Sequence, residues 1–365
     1  MAAAALARLG RRARIALVAL LLAALAAVDL ATSPDVSFLV FYLLPVLAAS
    51  WTLGAREGVV ISVASVAIFV ADDLVAHRKY ANAAVPLWNH GAEFAFFVFF
   101  SWLVGAFRSA LERETRARAE RLEHELAVAG EVQAALLPPR RLDGPLFAAA
   151  AECRQALGVG GDAWDVTALG DGAVFAGIAD VSGKGMPAAL LMAGFLGSLR
   201  GLVGTGEVRL TALAAELSAS LRAASDDRRF VTAFLAVADE SGLSYVNAGH
   251  EPGLLLAPPT STCPPMLLGS TGPVLGLVPN ARFREVHVAF PPGASLVLCT
   301  DGLTECEDPA GAELGRANVA RLAAALAGRA PERVVSGLLD AATTHAAHAP
   351  FGDDVTVLCL ARKRT

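Results

Sequence analysis

The sequence predicts an α+β domain over about residues 145–362, preceded by a four-helix transmembrane region and a helical linker. Four largely apolar stretches fill the first 107 residues, and a charged segment with helical periodicity runs on to residue 137. Beyond it, short β-branched runs alternate with helical patterns and Gly/Pro turns.

The apolar stretches are residues 15–31, 36–53, 58–75 and 84–107. Each is close to the ~20 residues a helix needs to cross a ~30 Å hydrocarbon core. They concentrate the 55% hydrophobic content of a 365-residue chain near its N-terminus. Arg8, Arg11, Arg12 and Arg14 precede the first stretch. It reads as a retained anchor, because three more apolar segments follow and no polar, small-residue cleavage region is present. Those arginines, Arg56 in the second connection, and Arg108, Arg113, Arg116 and Arg118 after the fourth stretch orient both termini to the cytoplasm, with Arg78 and Lys79 as exceptions. The expected location is the inner cell membrane, with the bilayer as one partner and the C-terminal domain cytoplasmic. Asp72, Asp73, Asn89, His90 and Glu93 fall near the outer interface as sensing candidates. Trp51, Trp88 and Trp102 read as interfacial anchors.

In the linker, residues 108–137, Ala119, Leu122, Leu126, Ala129 and Leu136 recur at a/d-like spacing with Gln133 at one seam position, and Pro138-Pro139 ends the helix. The segment is either a solvated spacer or a coiled-coil signalling helix that makes the chain a homodimer.

From residue 145 the runs LFAAAAECRQ, DVTALG, AVFAGIAD, FVTAFLAVAD, LSYVNAG, PGLLLAP, FREVHVAF, SLVLCTDG and DVTVLCLA read as strands. Residues 187–203, 210–224, 316–327 and 331–347 read as helices. The pattern fits layered packing, two sheets covered by helices.

Four acidic motifs lie at or near strand ends: Asp162 and Asp165 in GGDAWD, Asp180 in ADVSGKG, Asp301 in LCTDGLTE, and Asp353-Asp354 in FGDDVTV. Converging carboxylates repel unless cations neutralise them, and hard ions such as Mg²⁺ or Mn²⁺ take oxygen donors. A two-metal hydrolytic centre is the chemistry this favours. A net charge of −5 offers no basic footprint, so no nucleic-acid partner is expected. The five cysteines lack CxxC spacing, as for reduced cytoplasmic thiols without a zinc site. Ser182-Gly183-Lys184-Gly185 lacks the spacing of a nucleotide-binding loop.

The ordered blocks GEVQAALLPPR, VGGDAWDV, IADVSGKGMPAALLMA, RRFVTAFLAV, YVNAGHEPGLLL, GPVLGLVP, LVLCTDGLTE and FGDDVTVLCL, over about residues 120–362, closely resemble the SpoIIE-type bacterial serine phosphatases. These are members of the metal-dependent protein phosphatase superfamily, related to protein phosphatase 2C. The resemblance implies an α-β-β-α sandwich with two divalent cations, Mn²⁺ or Mg²⁺, at one edge. It further implies hydrolysis of phosphoserine or phosphothreonine on a protein, most often a phosphorylated anti-sigma antagonist domain in a partner-switching pathway. Carried over by motif, Asp180 bridges both metals beside the carbonyl of Val181, Asp301 and Asp353 are the other principal ligands, and Asp162, at the first acidic position, binds a metal directly or through water. Asp165, Asp354, Gly161 and Gly183 support them. The resemblance also implies that the helix before the first motif, 122–137, and the helix opening at Pro187 act as a switch that completes the metal site.

Further polar residues have a structural reading beside the functional one. His250 is either a proton donor to the leaving serine oxygen or part of a Gly-rich turn. Arg154 either holds phosphate or lies on the surface. Lys184 either approaches phosphate or belongs to a solvated loop. Thr300 and Thr356 either orient carboxylates or close strand ends. Glu251 stands where the family often has an uncharged residue. Two other functions fit the same motifs: a membrane receptor whose phosphatase-like domain only binds a partner, and a hydrolase of small phosphate esters.

Overall fold

The structure is a computed structural model that describes residues 10–32, 38–75, 80, 82, 84–156, 158–204, 208–224, 229–259, 261 and 263–364. Arg8, Arg78 and Lys79, named above for orientation, lie outside the described residues, as do the first two residues of the second apolar stretch. The chain divides into two compact units, residues 1–121 and 122–365.

The first unit holds α1 (Arg11–Ala31), α2 (Leu39–Thr52), α3 (Ala55–Val75) and the start of α4 (Ala84–Leu136). Its interior is small and its exterior apolar. Ser50 donates to Ser101 (2.9 Å), and a Cβ on Gly58 would lie 2.0 Å from the Ser50 hydroxyl, so these helices meet through small residues. Leu20 is 67% exposed and Leu87 77%, the reverse of a water-soluble bundle. α1, α3 and α4 are each long and apolar enough to cross a membrane. α2 is not: its 14 residues rise about 21 Å. Over its described residues the expected 36–53 span holds this helix, which ends within one residue of the expected boundary, where Leu53 and Gly54 (φ 133°) turn into α3. Arg56 is correspondingly inside α3 and not in a connection. A fourth helix that meets the same length and hydropathy criteria, residues 186–203, belongs to the second unit. Its apolarity serves packing on a sheet.

Polar groups mark the two ends of this bundle. At one end Arg14 donates to the Thr52 carbonyl (2.6 Å), Arg108 to that of Trp51, and Arg11 pairs with Glu57 (2.9 Å). At the other, His90 lies between Asp73 (3.1 Å) and Glu93 (2.9 Å), and Tyr80 donates to Asp73 (2.5 Å). The fourth apolar stretch and the linker form one helix, α4, which stops before Pro138-Pro139 because proline cannot continue the hydrogen-bond ladder.

In the second unit β1 (Arg141–Asp143), β2 (Phe147–Arg154), β3 (Ala163–Ala168) and β4 (Val174–Val181) lead into α5 (Met186–Val203) and α6 (Leu210–Ala224). Next come β5 (Val231–Ala238), β6 (Leu243–Ala248), β7 (Gly253–Leu256), β8 (Met266–Leu268), β9 (Val286–Val288) and β10 (Ser295–Cys299). The chain closes with α7 (Asp301–Thr304), α8 (Arg316–Ala325), α9 (Pro331–His345) and β11 (Val355–Arg362). One sheet has the order β1-β2-β11-β10-β7-β8 and the other β3-β4-β5-β6-β9, with antiparallel neighbours throughout. Each predicted strand and helix has its counterpart; the three-residue β1 and β8 and the single turn of α7 are too short to leave a periodic signal.

Two-residue alternation sorts the side chains into three cores. Val174, Ala176 and Ile178 of β4 meet Leu296 and Leu298 of β10 and Leu358 and Leu360 of β11 between the sheets. Phe175, Ala179 and Val181 face α5 and α6. Val297 and Cys299, with Val355, Val357 and Cys359, face α8 and α9. The domain is the expected α-β-β-α sandwich. Phe234 is fully buried between the sheets and stacks on Tyr245 with centroids 5.1 Å apart. Phe234→Ala should lower the unfolding free energy by about 3–5 kcal/mol, read by urea titration; a loss under about 1 kcal/mol would place it outside the core.

Candidate active site

The same alternation aims the acidic residues. Asp180 continues the face of Val174, Ala176 and Ile178, so its carboxylate emerges at the open end of the inter-sheet core. Thr300 extends the face of Leu296 and Leu298, and Thr356 and Asp354 extend that of Leu358 and Leu360. Asp162, two residues before Trp164, shares its inter-sheet face. Residues separated by up to 194 positions therefore converge on one sheet edge.

Asp162 is buried, and its Oδ2 accepts hydrogen bonds from Thr300 Oγ1 (2.8 Å) and Thr356 Oγ1 (2.6 Å). The two threonines thus orient a carboxylate, one of the two roles open to them. Burial, then the charge of Asp180, push the Asp162 carboxyl well above the usual range. Asp180 is raised to about 7, first by burial and then by Asp301, Asp353 and Asp354. Asp301 is raised by burial and by Asp353. Asp354 is also raised, by burial, although it accepts from the backbone amides of Ala156 and Gly161, each at 2.9 Å.

Glycines let the backbones close in. A Cβ on Gly302 would lie 2.0 Å from the Asp354 carbonyl oxygen, one on Gly160 2.1 Å from Asp354 Oδ2, and one on Gly161 2.9 Å from the Val181 carbonyl. Only glycine permits that approach of Asp301, of the 160–162 loop and of the 180–181 strand end.

The donor set of Asp180, Asp301, Asp353 and the Val181 carbonyl is all oxygen, and burial and neighbouring carboxylates raise Asp180 and Asp301. That chemistry fits a hard divalent cation. Among the described residues, however, no three His, Cys, Asp or Glu side chains are drawn together closely enough to hold one ion. Asp162 is turned to its threonines, Asp354 to backbone amides, and Asp353 to Lys184, whose Nζ is 2.8 Å from Oδ2.

Three candidates take other places, and a fourth, Gly183, sits where expected. Asp165 has the opposite parity to Asp162 and faces α5, where Arg200 Nε (2.5 Å) and Thr167 Oγ1 (2.9 Å) hold it away from the carboxylate cluster. Arg154 likewise points to the helical face and donates to Thr343 Oγ1 (2.7 Å) and Leu339 O (3.3 Å) of α9, so it is an anchor between β2 and α9 and not a phosphate ligand. His250 is buried, with Nδ1 2.8 Å from Thr232 Oγ1 and its amide donating to Asn247 Oδ1 (2.8 Å). Burial pushes it down to about 4, so the ring is neutral at pH 7 and serves the turn, not proton donation. Gly183 adopts φ 101° in the turn after Asp180, as expected of a glycine there.

Gln133, at a seam position of the linker by its spacing, is buried against the GGD loop. Its Nε2 donates to the Gly160 carbonyl (2.7 Å), and its Oε1 accepts from the Gly160 amide and Gln155 Nε2, both at 3.0 Å. Arg200, missed in sequence, joins three pieces: besides Asp165 it donates to the Leu136 carbonyl (2.6 Å) at the end of α4. Leu122 (58% exposed) and Leu136 (40%) remain at the surface.

Because Asp180 binds its proton more tightly folded than unfolded, the folded state loses stability through this group as pH rises from about 4 to about 7. With chelator present, Asp180→Asn should therefore melt progressively higher than wild type between pH 5 and pH 8 in a fluorescence thermal scan. A gap that does not change with pH would contradict the placement of Asp180.

The family model described as Stage II sporulation protein E (SpoIIE) matches residues 170–363, more than half of the chain. Protein IcfG of Synechocystis is 30% identical over 245 residues, 60% of this chain and 38% of that protein. Phosphoserine phosphatase RsbU of Bacillus subtilis is 33% identical over 131 residues, 35% of this chain and 38% of RsbU. The chain thus spans under half the length of either relative. Among solved structures, the SiaA PP2C domain of Pseudomonas aeruginosa superposes with a TM-score of 0.59 at 20% identity, over 68% of this chain and 98% of that one. The RsbU and RsbW domains of a Mycobacterium tuberculosis protein give 0.52 at 27% identity, over 60% and 61%. With its PP2C-like sandwich and the family match across most of it, this chain belongs to the SpoIIE family.

Proposed function

We propose that this chain is a membrane-anchored, divalent-cation-dependent protein serine/threonine phosphatase. The observation that carries the reading is the gathering of Asp180, Asp301, Asp353 and Asp354 at one edge of the sandwich, where burial and then the charges of the other three lift Asp180 to about 7. In this reading Asp180, the Val181 carbonyl, Asp301 and Asp353 hold two Mn²⁺ or Mg²⁺ ions. Bound there, the ions act as Lewis acids toward water and the phosphoryl oxygens. The chain's own work is positional. Thr300 and Thr356 fix Asp162, while Asp354 holds the backbone amides of Ala156 and Gly161. His250, neutral and buried, does not protonate the leaving serine oxygen.

The substrate we propose is a phosphorylated regulatory protein, an anti-sigma-factor antagonist domain of a partner-switching pathway. The relative named a phosphoserine phosphatase and the solved protein that joins RsbU and RsbW domains support this class. The outward-facing apolar side chains of α1, α3 and α4 support anchoring in the inner membrane, with the arginine-rich end and the catalytic domain cytoplasmic. Regulation would run through the end of α4: Gln133 grips the Gly160 backbone two residues from Asp162, and Arg200 ties Leu136 to α5. Exposed Leu122 and the half-buried Leu126 leave a seam for a second α4, the basis for proposing a homodimer.

Hydrolysis of para-nitrophenyl phosphate and of a phosphoserine peptide by the purified chain tests the reading. Mn²⁺-dependent turnover should fall at least about 100-fold in Asp180→Asn and Asp301→Asn. A folded, metal-supplied wild type without turnover would instead favour a partner-binding receptor. Gln133→Ala removes three hydrogen bonds to the loop and should lower kcat about tenfold while the thermal midpoint shifts by only a few degrees. An unchanged kcat would remove α4 from control of the site.

A further inference from the structure

We infer that Lys184 is a built-in counter-cation of the carboxylate cluster, holding Asp353 when no divalent ion is bound and competing with the ion for that carboxylate. The inference rests on reading the cluster as a cation site.

Lys184 Nζ lies 2.8 Å from Asp353 Oδ2 and donates to the Gly352 carbonyl at 2.9 Å. Among the described residues it is the one cation paired with Asp180, Asp301, Asp353 or Asp354. The local chain is built to deliver it. Gly183 (φ 101°) and Gly185 (φ 72°) bracket the lysine, and left-handed backbone on both sides folds the segment after Asp180 toward the 352–354 turn. Ser182 secures the start of this segment: its amide donates to the Phe230 carbonyl and its hydroxyl accepts from the Phe230 amide, both at 2.9 Å.

Exposure distinguishes an exchangeable contact from a structural one. The Lys184 side chain is 53% exposed and that of Asp353 48%, whereas the Asp165 side chain in its pair with Arg200 is only 3% exposed. A solvent-exposed ammonium–carboxylate pair is weak, so it can yield to a stronger cation. An ammonium and a divalent ion cannot share Asp353 Oδ2 without facing each other as like charges. Ion entry therefore displaces the lysine, and the pair sets how much free ion the site needs. Lys184 is a positioning residue in this scheme.

The test is Mn²⁺ binding by the full, metal-stripped chain in detergent, followed by calorimetry and by the electron paramagnetic resonance signal of free Mn²⁺. Wild type, Lys184→Gln, Lys184→Arg, Asp353→Asn and the Lys184→Gln/Asp353→Asn double variant are compared, with melting in chelator as the folding control. Lys184→Gln should bind Mn²⁺ about three- to fivefold more tightly, the size expected for loss of an exposed ion pair. Lys184→Arg should stay near wild type, and the Lys184→Gln effect should vanish in the Asp353→Asn background. Unchanged or weaker binding by Lys184→Gln, or an equal gain without Asp353, would overturn the inference while leaving the cation site standing. Absence of Mn²⁺ binding by wild type would overturn the cation site and the inference together.

Discussion

Mutual repulsion among carboxylates at the end of the inter-sheet core is the constraint on which the rest of the sandwich domain depends. Burial in a hydrophobic sandwich makes each charge costly, and proximity makes the set costlier still. The domain meets that cost in different ways at each position. Asp162 is held by two threonine hydroxyls, Asp354 by two backbone amides and Asp353 by a lysine, while Asp180 is lifted toward neutrality. Glycines at 160, 161 and 302 allow the strand ends and loops to come close enough for this to happen.

The loop that carries Asp162 is shared between the site and the helix that precedes the domain. Gln133 binds both the carbonyl and the amide of Gly160, so the loop conformation and the end of α4 are set together. A Cβ on Gly130 would sit 2.1 Å from the Gly158 carbonyl, so the helix can lie against this loop only with glycine there. Arg200 gives α5 a hold on the same helix end through the Leu136 carbonyl and on β3 through Asp165. These contacts are short-range and polar, the kind that a small shift of a helix can make or break.

Much of this was legible in the sequence, and the reasons are specific. Strands such as AVFAGIAD and SLVLCTDG are continuous apolar runs because both sheet faces are covered, which makes them easy to find and hard to orient. The orientation of Asp165 was in principle readable: a spacing of three from Asp162 puts it on the other face of the strand, just as the parity of Arg154 sends it to α9. Gln133 at an apolar seam position was a visible sign of a polar partner, but the partner, a loop backbone 27 residues on, leaves no pattern. The Lys184 contact depends on two positive-φ glycines and a turn 168 residues away, and only the folded chain supplies both.

Anomalous scattering from crystals of the chain grown with Mn²⁺ is the most direct measurement of whether this edge is a cation site. Peaks within about 2.5 Å of carboxylate oxygens of Asp180, Asp301 and Asp353, with Lys184 moved off Asp353, are the expected result. Ordered carboxylates with no peak among them, or Mn²⁺ bound only elsewhere on the domain, would contradict it.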